Sequence, residues 1–245
     1  DLEQAGADWK QKAADTLAAI EQTERTRIQE ASKLESLRNL TERYDGYGNA
    51  IKKVMERKND TPGVIGVVAD IIKVDSRYET AMETALGGSI QNIVTKDEAT
   101  AKKMVNYLKE NKLGRATFLP LTSITSKALG QSQDSAAKEQ GVIGYAHTLV
   151  KVDKEYEELI KYLVGRILVV NTMDNALALA KKYNYTLRIV TLEGEQLNPG
   201  GSISGGAYKN NSNLLGRRRE MEELEKKIED CKNKVIELTK ERDSI

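Results

Sequence analysis

The chain has 245 residues and sets 38 Lys and Arg against 37 Asp and Glu, a formal net charge of +1, so no whole-molecule field calls for a nucleic-acid or membrane partner. Charged residues make up 31% and aromatics 5%, a balance that leans toward long solvated helices. The one cysteine, Cys231, excludes an intramolecular disulfide and a cysteine-cluster metal site, and fits a reducing cytosol.

Residues 1–60 contain no proline and read as helix. Asp1-Leu2-Glu3-Gln4 has none of the features of a signal peptide, and the helical pattern at both ends reads as a piece of a longer chain. Apolar residues recur at Leu17, Ile20, Ala31 and Leu34, with polar Glu24 and Arg27 in the intervening core phase. A cleaner heptad follows at Leu37, Leu40, Tyr44, Tyr47, Ile51 and Val54, the seam expected of a coiled coil. The step of three from Leu34 to Leu37 predicts a phase slip there.

The middle, about residues 61–211, changes character: Gly, β-branched residues and all three prolines gather here. Apolar runs such as 67–72, 167–170 and 187–190 read as buried strands, and 76–86, 97–112, 154–164 and 173–183 as helices. Ser76-x-x-Glu79 and Thr95-x-x-Glu98 look like capping boxes. This region repeats itself. Gly63-Val64-Ile65-Gly66 returns as Gly141-Val142-Ile143-Gly144, an offset of 141 − 63 = 78, and Lys73-Val74-Asp75 returns at the same offset as Lys151-Val152-Asp153. Further on, Ile93-Val94 aligns with Val169-Val170 after a two-residue gap. Two units, each strand-helix-strand-helix-strand, are expected to pack about a pseudo-two-fold axis, joined by a Ser-, Gln- and Ala-rich surface loop at 123–140.

From about Leu214 the heptad resumes without interruption at Met221, Leu224, Ile228, Cys231, Val235 and Leu238, among charged residues that form a solvated face. Two narrow apolar stripes at the two ends of one globular insert are best buried against each other, running antiparallel.

Candidate chemistry is sparse. His147 is the only histidine, with no nucleophile or second ligand in a recognisable arrangement, and Cys231 falls in a seam position where it acts as a small hydrophobe. Pro199-Gly200-Gly201-Ser202-Ile203-Ser204-Gly205-Gly206 invites comparison with a phosphate-binding loop, but Ala207 and Tyr208 stand where the cradle Lys and the Ser or Thr belong. Two glycine pairs around a short β-like stretch suit a strand that abuts another chain, since glycine permits close backbone approach and positive φ. An ordinary glycine-rich turn would read the same way. Neither catalytic residues, nor a metal site, nor a cofactor is expected.

Gly87-Gly88, the block Leu113 to Leu121, the block Arg188 to Gly194 and the block Asn198 to Gly206 closely resemble the hinge of bacterial SMC (structural maintenance of chromosomes) proteins, as does Leu214-Leu215-Gly216-Arg217. The resemblance implies an α+β hinge fold of two pseudo-repeated β/α units, flanked by an antiparallel intramolecular coiled coil. It implies a homodimer in which the first unit of one chain meets the second unit of the other, with Gly200, Gly201, Gly205, Gly206 and the intervening Ile203 at the interface. It further implies a parent that acts in chromosome condensation and segregation at the nucleoid in the cytoplasm, hydrolyses ATP through head domains absent here, and binds kleisin-type subunits through those heads. The chain itself is then no enzyme, and no membrane partner is expected. Many such hinges carry a lysine run after the glycine block, linked to DNA binding; here it is reduced to Lys209-Asn210-Asn211. Arg217, Arg218 and Arg219, with Lys52, Lys53 and Lys58, are the candidates for a replacement patch making weak, sequence-independent DNA contact at the hinge–coil junction; a helix-start arginine cluster paired with Glu220, Glu222 and Glu223 reads equally well. The expected division is an N-terminal arm at 1–60, hinge subdomain I with its linker at 61–140, subdomain II at 141–211 and a C-terminal arm at 212–245. A zinc-hook apex is excluded because it needs a Cys-x-x-Cys. A small β/α enzyme between helical arms would need convergent polar groups that the sequence lacks.

Overall fold

The computed structural model describes residues 2–207 and 213–244. Helix α1 (Leu2–Glu42) is stopped by its own backbone: Tyr44 adopts φ 52°, the Asp45 amide reaches back to the Leu40 carbonyl and the Tyr44 amide to Thr41. That is a Schellman ending, with tyrosine in the position glycine usually fills and Gly46, at φ 92°, just behind it. Short helix α2 (Asn49–Glu56) follows and buries Ala50, Ile51, Val54 and Met55.

The first repeat then runs β1 (Val64–Val67), α3 (Val68–Ile71), β2 (Lys73–Val74), α4 (Glu79–Leu86), β3 (Ile93–Thr95), α5 (Glu98–Glu110) and β4 (Phe118–Pro120). Helix α6 (Gln131–Ala136) lies in the linker. The second repeat runs β5 (Val142–Tyr145), β6 (Val150–Lys151), α7 (Glu157–Val164), β7 (Ile167–Val170), α8 (Met173–Lys182) and β8 (Arg188–Thr191), then adds β9 (Gln196–Leu197) and β10 (Ile203–Ser204). Helix α9 (Gly216–Asp243) closes the described chain.

The duplication is physical. One sheet has the order β1-β3-β4 and the other β10-β9-β8-β7-β5. In both, the first strand runs antiparallel to the second and carries an irregularity, between Val64 and Gly66 and between Val142 and Gly144, while the second and third strands are parallel. The strand registers pair Val67 with Ile93 and Tyr145 with Leu168, which makes Ile93 the counterpart of Leu168. The alignment of Ile93-Val94 with Val169-Val170 is therefore one residue out. Two runs of buried β-branched residues slide past each other in sequence without penalty, and only the ladder fixes the register. The last helix of each repeat, α5 and α8, starts on a side-chain cap, Asp97 accepting from the Thr100 amide and Thr172 from the Asn175 amide. Each ends in a Schellman turn, at Lys112 and at Asn184.

Neither predicted capping box forms as read. Asp97 rather than Thr95 caps α5, and a 3-10 turn at Ser76–Tyr78, capped by Asp75, precedes α4. Strands β2 and β6 pair antiparallel with Lys73 opposite Lys151, its own counterpart at offset 78 (151 − 73), so the pseudo-two-fold axis passes between these two lysines.

Each repeat has its own core. Val67, Ile93, Val94, Met82 and Met104 are buried in the first. In the second, Leu168, Val170, Leu179 and Ile189 pack with Ala136 of the linker helix. All four residues of β7 are buried, as a central strand covered on both faces requires. The linker is strapped to the second repeat as well: Ser126 donates through its amide and hydroxyl to Glu158, Arg166 donates to the Ala128 carbonyl, and Lys182 and Tyr183 both donate to Glu139.

The chain forms two compact units, Gly46–Gly216 and the pair of long helices. The globular unit thus takes in residues 46–60, which the heptad pattern had extended into the arm. In the helical unit α1 and α9 run antiparallel, with Lys12 paired to Glu241 at 3.7 Å and Arg38 to Glu225 at 2.8 Å. Buried or half-buried positions on α1 include Ala13, Thr16, Ile20, Thr23, Arg27, Glu30, Leu34, Leu37 and Thr41, an unbroken alternation of threes and fours that Tyr44 continues past the helix, with Ala19, Glu24, Thr26 and Ala31 half-buried beside it. There is no phase slip, and Leu17 and Leu40 stand 47% and 43% exposed. Threonines replace leucines in this seam: Thr16 and Thr23 donate their hydroxyls to the Lys12 and Ala19 carbonyls, which frees their methyls to pack. On α9 the residues of the sequence heptad are all half-buried, with Arg217 one step ahead of Met221, and Arg219 and Thr239 are half-buried beside them.

Candidate functional site

The glycine block folds into both structures the sequence allowed, a turn and a strand. Strands β8 and β9 form a hairpin, with Ile189 opposite Leu197 and Val190 opposite Gln196. A tight turn follows: the Asn198 amide donates to the Ser202 carbonyl, the Gly201 amide to Asn198, and the Gly200 amide to Tyr185. Gly200 and Gly201 sit at φ 92° and 101°, two successive left-handed residues that side chains would strain. The turn delivers Ile203 and Ser204 as β10, paired with Leu197 and Gln196 of β9.

Beyond β10 there is no further strand among the described residues, so its outer edge is open. Ile203 is 53% exposed there. A Cβ on Gly200 or Gly206 would meet nothing within 4 Å, whereas one on Gly205 would press on Glu195 Cγ at 3.1 Å. Gly206 also has a left-handed φ of 131°. Three of the four glycines of this block are thus required by their own backbone, with open space in front of two of them. Strand β4 also ends its sheet, as β1 and β5 end theirs; it is paired only with β3, and Pro120 in it has no amide to offer. The sequence shows an apolar run here, Ala116-Thr117-Phe118-Leu119, as the last strand of the first unit, but nothing local marks its outer side as uncovered.

Behind β10 lies a cleft of about 670 Å³, walled by Glu79, Glu83 and Thr84 of α4 on one side and by Gln196, Ser204 and Gly205 on the other.

The cationic positions lie in two places. In the globular unit Lys52 and Lys53 are half-buried on α2, Lys53 paired to Glu56 at 3.3 Å, and Lys58 is exposed. Arg57 lies flat over the Tyr107 ring at 4.2 Å. In the helical unit Arg218 pairs with Glu222 at 3.7 Å and Arg219 with Glu223 at 2.9 Å, both one turn along α9. Arg217 occupies a seam position, with Nη1 buried and lacking a hydrogen-bond partner, so the three arginines do not form one face. Lys209 lies outside the described residues.

Of the remaining polar candidates, His147 has Nδ1 buried without a partner, and burial, then nearby Lys161, holds its pKa below the usual imidazole value. Cys231 is a half-buried seam residue. No helix among the described residues is long and apolar enough to cross a membrane.

Comparison with known proteins accounts for this arrangement. The profile of the SMC proteins' flexible hinge domain matches residues 61–180. The chromosome partition protein Smc of Bacillus subtilis is 41% identical over 218 residues, a stretch covering 87% of this chain but 18% of that protein. The solved asymmetric dimer of the Geobacillus stearothermophilus SMC hinge domain superposes with a TM-score of 0.87 at 34% identity, over 97% of this chain and 96% of that one. The Pyrococcus furiosus Smc hinge domain with an extended coiled coil matches with a TM-score of 0.54 at 28% identity, over 99% and 88%. With its duplicated β/α unit, antiparallel helical pair and glycine-turned edge strand, the chain belongs to the SMC hinge family.

Proposed function

We propose that the globular unit is a homodimerisation hinge in which the β4 edge of one copy meets the β10 edge of the other, at two equivalent contacts about a two-fold axis. One observation carries this reading. In the second repeat β8 is covered by β9, but its counterpart β4 in the first repeat has no strand on that side among the described residues. Each chain therefore offers, at the matching end of its two related sheets, an uncovered β4 and an added edge strand β10. Unpaired edges recruit other strands, and a closed pair consumes both. The Geobacillus stearothermophilus hinge, solved as an asymmetric dimer, supports the same reading.

The test is sedimentation of the chain and of Ile203→Asp at low micromolar concentration. Ile203 is exposed in the single chain, so the change leaves the monomer's core intact while burying a charge in the contact. The wild type is expected as a dimer and the variant as a monomer; a variant that keeps the dimer mass refutes this edge. Replacing the four glycines by alanine is less clean, because Gly200, Gly201 and Gly206 would be strained in the monomer too.

In this reading residues 61–140 and 141–211 act as the two hinge subdomains. The parent is a chromosome-partition SMC protein, working in the cytoplasm at the nucleoid. ATP hydrolysis and kleisin binding belong to heads outside this chain. A second role, weak sequence-independent DNA contact, rests on the consecutive Arg217, Arg218 and Arg219 at the start of α9, with Lys52, Lys53, Lys58 and Lys209 as further cations. The glutamates one turn along α9 already neutralise part of that charge, which keeps the expected affinity low.

A further inference from the structure

Glu79 and Glu83 stand one turn apart on α4, facing the cleft behind β10. Like charges at this spacing repel, and Glu79 is only 6% exposed, so both carboxylates need donors. The donors come from the segment where α9 begins. Asn213 Nδ2 donates to Glu79 Oε2 at 3.0 Å, and Asn213 Oδ1 accepts the Gly216 amide at 2.9 Å. Burial pushes the Glu83 carboxyl above its ordinary range; the Leu215 amide opposes this, neighbouring Glu79 adds to it, and the Leu214 amide opposes it again. The Asn213 side chain thereby holds the Gly216 amide, and the Leu215 and Leu214 amides lie against the Glu83 carboxylate, whose Oε1 is buried without a hydrogen-bond partner. The side chains of Leu214 and Leu215 are buried as well.

A helix start leaves its first amides without partners and carries partial positive charge, so carboxylates belong there. The first turn of α9 supplies none: it reads Gly216-Arg217-Arg218-Arg219, with no acidic residue. From this geometry we infer that Glu79 and Glu83 of α4 act as a remote cap for α9, Glu83 by accepting backbone amides and Glu79 by orienting Asn213. Both are positioning residues: Gly216, the first residue of α9, depends on a helix more than 130 residues earlier, since Asn213 and Glu79 are 134 apart in sequence. Within the cleft the same α4 face lies across from Ser204 and Gly205, at the foot of the β10 edge.

The test is amide hydrogen exchange at residues 214–216 in the full chain, with the buried amides of Leu168 and Val169 as the reference for global opening. Asn213→Asp keeps the acceptor for the Gly216 amide but sets a second carboxylate against Glu79. An ordinary local cap would leave exchange unchanged or slower, since Asp caps as well as Asn. The remote cap predicts exchange faster relative to the reference, on the order of tenfold, and recovery when Glu79→Gln is added to restore a donor. Glu83→Ala is expected to speed exchange at Leu214 and Leu215. Wild-type protection in both Asn213→Asp and Glu83→Ala would overturn the inference.

Discussion

At the scale of single residues, burial of a polar atom without a partner sets four described side chains apart, those of Glu30, Glu83, His147 and Arg217. His147 is held neutral by its surroundings, with Lys161 adding to the effect of burial, so its folded pKa lies below the imidazole's unfolded value near 6.5. Unfolded chains then bind a proton that the folded chain refuses. The stability this confers is full above pH 6.5 and is lost as pH falls through the folded pKa. In urea unfolding at pH 7.5 and pH 5.5, His147→Gln is expected to show a smaller acid-side drop in midpoint than the wild type; equal drops would mean that the imidazole is not the group responsible. The sequence showed that His147 was alone, but not that its Nδ1 was enclosed. The glycines present the converse case. Their number was visible, while the left-handed φ of Gly200, Gly201 and Gly206 came only with the turn that uses them.

At the scale of elements, the two long helices differ in how well a heptad describes them. The α9 seam follows its apolar residues, because these recur in one phase from Met221 to Leu238. On α1 the seam includes Thr16, Thr23, Arg27 and Glu30, with Leu17 and Leu40 outside it. The partner helix selects a phase for the whole length of α1, and residues that do not suit that phase follow along. Glu30 is the poorest fit: its side chain is 13% exposed, Lys33 lies 3.4 Å from one oxygen, and the other oxygen is buried without a hydrogen bond. Glu30→Leu removes that unsatisfied oxygen and adds apolar contact, and is expected to raise stability by about 1–3 kcal/mol. Thermal unfolding followed by helical circular dichroism would show it as a higher midpoint; a lower one would mean that the Lys33 pair outweighs the buried oxygen. The break at 43–48 could have been anticipated from Gly46 and Gly48, but Tyr44, Tyr47 and Ile51 continued the heptad across it.

At the scale of the whole molecule, charge is nearly balanced, so nucleic-acid affinity depends on local clusters. Any contact made by the arginines is with phosphates and independent of base sequence, with a Kd on the order of 10⁻⁶ M or weaker at physiological salt. Arg218 and Arg219 are the residues to change, because Arg217 sits in the coiled-coil seam and its reversal would disturb the helix pair. Arg218→Glu with Arg219→Glu is expected to abolish binding in a low-salt titration while sedimentation still reports a dimer. Equal retention of DNA by wild type and variant would remove these arginines from the contact.

The duplication, the helical ends and the glycine block were all determined by the sequence itself, because each is a local pattern. A repeated Gly-Val-Ile-Gly, a three-four spacing and a Gly-Gly pair carry their meaning wherever the chain folds. Other features were decided by tertiary structure: the seam phase of α1, the one-residue shift between β3 and β7, the open edges of β4 and β10, and the hold of Glu79 on Asn213. Each of these depends on which of several locally acceptable arrangements a distant segment stabilises. A helix face is chosen by its partner, a strand register by its ladder, and a buried carboxylate by the donor that reaches it, and none of those partners is near in sequence.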